Sequence, residues 1–141
     1  MDKNGPVIII EDDEDDQYLF EQVFLRLNFK NEIIFFSDGQ EALDYLTTTS
    51  VLPFLILSDI NMPRLNGFAL KEKLHTDAAL QVKCIPYLFF STAASQRMVI
   101  DAYSLSVQGF FVKPDTINEF EETIRTIMDY WKLCAAPNNY Q

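Results

Sequence analysis

Apolar residues along this chain gather in five short runs, at residues 7–10, 32–36, 53–57, 85–90 and 109–112. Most are nearly continuous in Val, Ile, Leu and Phe and do not alternate with polar residues. That pattern fits strands buried on both faces, as in a parallel sheet covered by helices. The second run, opening with Asn31 and Glu32, reads as the one nearest an edge. Between the runs the apolar period changes to that of a helix. Phe20, Val23, Phe24 and Leu27 make one stripe, and Ala42, Leu43 and Leu46 a second. A thin third stripe, Leu70, Lys71 and Leu74, follows Asn66-Gly67, and a fourth helix spans about residues 95–103. The clearest stripe is the last, Ile117, Phe120, Ile124, Ile127, Met128 and Trp131. Asp38 with Glu41 and Thr116 with Glu119 have the spacing of capping boxes, and Asp13 suits a helix cap.

Strand and helix thus alternate five times. Parallel strands with helical crossovers predict a doubly wound α/β fold, a three-layer αβα sandwich with five strands and five helices. The 141 residues fit a single domain spanning residues 1–141, with its core at about 7–131 and a short loose tail from 135. A hydrophobic fraction of 48% supplies a real core.

Ligands of such sheets bind beyond the carboxyl ends of the strands. Glu11-Asp12 follow the first run, Ser58-Asp59 the third, Ser91-Thr92 the fourth and Lys113-Pro114 the fifth. On a parallel sheet these residues share one edge, which brings three carboxylates, a hydroxyl and an ammonium into one pocket. Crowded carboxylates raise one another's pKa, and a divalent cation relieves the repulsion. Oxygen donors without His or Cys favour a hard ion such as Mg²⁺. A carboxylate can be a nucleophile that forms an acyl phosphate. Such transfer needs positioning and positive charge, which Lys113 and a metal would supply, with a Ser91 hydrogen bond beside them. Asp59, after the central strand, is the predicted nucleophile, and Glu11 and Asp12 are the predicted metal group.

At these residues the chain resembles the receiver domain of two-component response regulators, over residues 7 to about 131. The matching segments are Val7-Ile8-Ile9-Ile10-Glu11-Asp12-Asp13, Leu57-Ser58-Asp59-Ile60-Asn61-Met62-Pro63, Asn66-Gly67, Phe90-Ser91-Thr92-Ala93 and Gly109-Phe110-Phe111-Val112-Lys113-Pro114. The resemblance implies a flavodoxin-like sheet of order 2-1-3-4-5. It implies Asp59 as phosphoacceptor, with Mg²⁺ or Mn²⁺ held by Glu11, Asp12, Asp59 and the backbone carbonyl of Asn61. Ser91 and Lys113 would follow the phosphoryl group, Phe110 would be the switch aromatic, and Pro114 would follow a cis peptide bond. The implied donor is the phosphohistidine of a sensor kinase or a phosphotransfer protein. The implied output surface is formed by the fourth helix, fifth strand and fifth helix. Glu11, Ser91 and Asp115 depart from the commonest pattern, in which Asp, Thr and an aromatic residue stand at those positions.

Plainer readings stand beside these. Thr92 competes with Ser91 as the hydroxyl facing the site, and Phe111 with Phe110 as the switch aromatic. Residues 13–16 read as a solvated acidic helix start. His75, the one histidine, reads as a surface residue, and Cys84 and Cys134 as reduced thiols. The net charge of −10 disfavours direct contact with nucleic acid or anionic membrane. No signal peptide or spanning segment is evident, which points to a cytoplasmic protein. The expected function is a switch that accepts phosphate and binds a partner, as a monomer or a phosphorylation-linked homodimer. The rivals are a phosphate-independent binding module and a phosphohydrolase with an aspartyl nucleophile. Asn61 stands where such hydrolases often carry a second acid.

Overall fold

The computed structural model describes residues 1–140. Five parallel strands form one sheet: β1 (Val7–Ile10), β2 (Ile33–Phe36), β3 (Leu55–Ser58), β4 (Tyr87–Ser91) and β5 (Gly109–Val112). Their order is β2-β1-β3-β4-β5, as the family resemblance implied. Burial follows position. Every residue of β1, β3 and β4 is buried, whereas β2 is half-buried throughout and lies at an edge. Strands β3 and β4 begin two residues later than the apolar pattern suggests. Pro53 and Pro86 precede them, and proline has no N–H for the ladder.

Six helices cover the sheet: α1 (Glu14–Leu27), α2 (Gly39–Thr48), α3 (Gly67–His75), α4 (Ala78–Gln81), α5 (Gln96–Ser104) and α6 (Ile117–Leu133). This corrects the expectation of five. The extra helix, α4, is one turn with no buried residue, started by the Asp77 carboxylate, which accepts from Ala79 N and Leu80 N. An element so short has no apolar period to betray it. The expected caps are present. Asp13 accepts from Asp15 N and Asp16 N, Asp38 from Glu41 N, and Thr116 from Glu119 N.

Alternate strand residues feed two separate cores. Val7, Ile9, Leu55, Leu57, Leu88 and Phe90 face α1 and α6. Ile8, Ile10, Ile56, Tyr87 and Phe89 face α2, α3 and α5. The first core is knitted by aromatic rings. Phe20 of α1 lies 5.5 Å from Phe90 and 5.0 Å from Phe120, centroid to centroid. Residues 136–140 of the expected loose tail are tied down instead. Ala136 is buried in this core, its N–H donates to Asn139 Oδ1, and Pro137–Tyr140 form a 3-10 turn.

Among the described residues no helix is long and apolar enough to cross a membrane. Phe20→Ala should cost about 3–5 kcal/mol, the usual range for removing a fully buried ring. Urea unfolding measures this, and a loss under about 1 kcal/mol would mean that the α1–α6 core is not packed as described.

Candidate functional site at the carboxyl edge of the sheet

The ladder runs one residue past β1, β3 and β5 and so fixes the backbone of three predicted site residues. Glu11 N–H donates to Phe36 O, Asp59 N–H to Ile10 O, and Lys113 N–H to Ser91 O at 2.7 Å. The side chains therefore leave the sheet from adjoining rows. Carboxylate oxygens of Glu11, Asp12 and Asp59 all lie within 4.8 Å of one another. Glu11 is buried, Asp12 exposed and Asp59 half-buried. The group is thus lined on one side and open to solvent on the other.

Lys113 enters this group from β5. Its Nζ lies 2.6 Å from Glu11 Oε2, 2.9 Å from Asp16 Oδ2 and 3.6 Å from Asp59 Oδ2. The first two are hydrogen bonds; the third is an ion pair beyond hydrogen-bonding reach. Burial pushes the Glu11 carboxyl up to about 7, and the hydrogen bond and charge of Lys113 pull back only part of that rise. For Lys113, burial favours the neutral amine, but the bonds to Glu11 and Asp16 outweigh it and raise its pKa.

Asp59 sits in a tightly specified turn. Its Oδ1 accepts from Ile60 N at 2.7 Å, and its carbonyl accepts from Ser58 Oγ at 2.7 Å. Gly67, the first residue of α3, presses against this turn and donates its N–H to Ile60 O. A Cβ on Gly67 would fall 2.4 Å from Asp59 O and 2.8 Å from Phe89 Cε1, so only glycine allows this approach. Asn66, the cap of α3, accepts from Ala69 N.

The other predicted residues divide. Asn61 is exposed, two residues beyond Asp59. Ser91 ends β4 fully buried, whereas Thr92 is exposed. Phe110 is half-buried on the α5 side, with its ring 6.0 Å from Phe89; Phe111 is half-buried on the opposite face, against Phe90. His75 is exposed, with its backbone carbonyl bonded to Gln81. Cys84 and Cys134 are free thiols. One expectation is corrected: no cis peptide bond occurs among the described residues, so Lys113–Pro114 is trans. Trans is the lower-energy form even before proline, and here it coexists with the Lys113 N–H bond to Ser91 O. A cavity of about 450 Å³ lined by Lys71, Leu74, Tyr87 and Gln108 contains none of the predicted site residues.

Asp16 is the residue that sequence reasoning missed, since it lay within an acidic stretch read as solvated. The signal was nevertheless available. Asp16 precedes Phe20 by four and Val23 by seven, so it continues the inward stripe of α1 toward the site.

The donor set fits a hard divalent cation, because it offers three carboxylates and no nitrogen or sulfur. A model of the response regulator receiver domain matches residues 7–125, and the chain belongs to that family of two-component signalling proteins. The family is one of phosphoacceptor signalling modules. Among its relatives, the probable methanogenesis regulatory protein FilR2 of Methanothrix harundinacea is 28% identical over 129 residues, covering 89% of this chain and 82% of that one. Response regulator Rcp1 of Synechocystis is 25% identical, and 92% of each chain is covered. The Mn²⁺-bound form of Rcp1 superposes with a TM-score of 0.81, covering 94% of this chain and 99% of that one. The phosphorylated cyanobacterial phytochrome response regulator RcpA gives a TM-score of 0.84 at 23% identity, over 94% and 97% of the two chains, a likeness of fold.

The Glu11 shift predicts a pH dependence for the metal-free protein. Glu11 binds its proton more tightly folded than unfolded, where the value is about 4.5. Its contribution to stability is therefore full below about pH 4.5 and is lost as the pH rises through about 7. With chelator present, the stability of wild type relative to Glu11→Gln should fall between pH 5 and pH 8, measured by urea unfolding. A difference that rises or stays flat over that window would contradict the assignment.

Proposed function

We propose that residues 1–141 act as one receiver unit that takes a phosphoryl group onto Asp59 from the phosphohistidine of a sensor kinase or a phosphotransfer protein. The observation that carries this reading is the meeting of Glu11, Asp12, Asp59 and the Lys113 ammonium at one sheet edge. In the transfer, an Asp59 carboxylate oxygen attacks phosphorus. The P–N bond breaks, its electron pair returns to the imidazole nitrogen, and that nitrogen takes a proton. The product is an acyl phosphate on Asp59. Glu11, Asp12, Asp59 and the Asn61 backbone carbonyl would hold Mg²⁺ or Mn²⁺, which when bound supplies positive charge to the transferring oxygens. Lys113 supplies a second positive charge, and the Ser91 hydroxyl donates a hydrogen bond to the phosphoryl oxygens.

The new dianion draws Ser91 and Lys113 toward Asp59. Those shifts bias the packing of Phe110 and through it the surface of α5, β5 and α6. That surface exposes Ile100, Tyr103, Val112 and Ile117, an apolar set suited to a protein partner and to a phosphorylation-dependent change in binding or in oligomeric state. With a net charge of −10, the partner is a protein and not nucleic acid or a membrane surface, and the setting is the cytoplasm.

Incubation with Mg²⁺ and acetyl phosphate, followed by intact mass measurement, tests the reading. Wild type should gain one phosphoryl group, and Asp59→Asn or added chelator should abolish the gain. An unchanged gain in Asp59→Asn would place the acceptor elsewhere.

A further inference from the structure

Lys113 has three N–H bonds to give, and its partners are unequal. Two go to Glu11 and Asp16, at 2.6 and 2.9 Å, while Asp59 waits at 3.6 Å. The hydrogen-bonded partners come from two different parts of the chain. Glu11 ends β1 and belongs to the carboxylate group that fits a metal. Asp16 belongs to the first turn of α1 and lies outside that group. It is held there by local structure. Asp13 caps its N–H, and the helix N-terminus favours a negative side chain at that position. Its side chain is 26% exposed, so it stays solvated on one side while bonding to an ammonium that is 5% exposed on the other. Glu14 and Asp15, its neighbours in the same turn, are exposed.

We infer that Asp16 is a positioning residue, a latch that holds the Lys113 ammonium on the α1 side in the resting state and must release it when Asp59 carries a phosphoryl group. The inference rests on the reading of Asp59 as phosphoacceptor. A dianion on Asp59 needs the ammonium at hydrogen-bonding distance, so Lys113 turns toward Asp59 and away from Asp16. The bond to Asp16 is part of what the phosphorylated state gives up. Asp16 thereby opposes the phosphorylated arrangement, and its removal favours that arrangement without adding a contact. A general loss of negative charge would act alike at Asp15 and Asp16, whereas a latch acts at Asp16 alone.

The test is binding of beryllium trifluoride, a phosphoryl mimic, with saturating Mg²⁺, followed by isothermal titration calorimetry. Wild type, Asp16→Ala and Asp15→Ala are compared, with Asp16→Asn as a second variant that keeps a neutral acceptor. Asp16→Ala should bind the mimic about threefold to tenfold more tightly than wild type, the range for one partly exposed charge-assisted bond. Asp16→Asn should move in the same direction by less, and Asp15→Ala should match wild type. Damage to the fold would weaken binding, so a gain in affinity is a readout that a merely structural role does not produce. Equal or weaker binding by both Asp16 variants, or an equal gain in Asp15→Ala, overturns the latch while leaving the phosphoacceptor reading intact. Failure of wild type and Asp15→Ala to bind the mimic at all overturns both.

Discussion

One ammonium organises the candidate site. Lys113 lies just past β5, buried, with Glu11 after β1, Asp16 in α1 and Asp59 after the central β3 around it. Without that charge, Glu11 would be a buried carboxylate beside two others, an arrangement that proteins avoid by neutralising one member. With it, the group can remain close-set and still be open to a cation on the solvent side. Position and charge are thus one constraint. The ammonium holds the carboxylates near enough to share a ligand, and the carboxylates keep it ionised within the protein.

The fold meets that constraint through its topology. A parallel sheet carries all its carboxyl ends on one edge, and the order β2-β1-β3-β4-β5 sets β1 and β3 side by side at its centre. Ile10 pairs with Ser58, so Glu11 and Asp59 emerge in register. The two cores above and below fix the strands from both sides, which holds the site residues at the strand ends in place. Gly67 shows how closely those turns are fitted, since α3 approaches the Asp59 carbonyl to within the space of a missing methyl group.

Much of this was legible in the sequence because each strand is marked by a continuous apolar run and each site residue follows one. The limits of β1 and β5 were read without error, and Asp59, Glu11, Asp12 and Lys113 come together as their positions after the strands require. What escaped reading has physical reasons. Helix α4 is a single capped turn with no buried face. Ala136 is buried by a contact distant in sequence, and nothing in a stretch of small and polar residues signals that. The cis bond expected before Pro114 came from the family resemblance alone, and the bond is trans. Asp16 was hidden by its company. The last four of six consecutive acids look alike in sequence, and only the helical phase shared with Phe20 separates the one of them that turns inward.

The most direct test of this account is a double-mutant cycle between Lys113→Met and Glu11→Gln, read by urea unfolding at pH 8 with chelator present. If the ammonium holds the buried carboxylate in place, the two substitutions should couple by about 1.5–3 kcal/mol, the double variant being less destabilised than the sum of the single ones. Additivity within about 0.5 kcal/mol would contradict it, and would mean that Lys113 and Glu11 are neighbours without being partners.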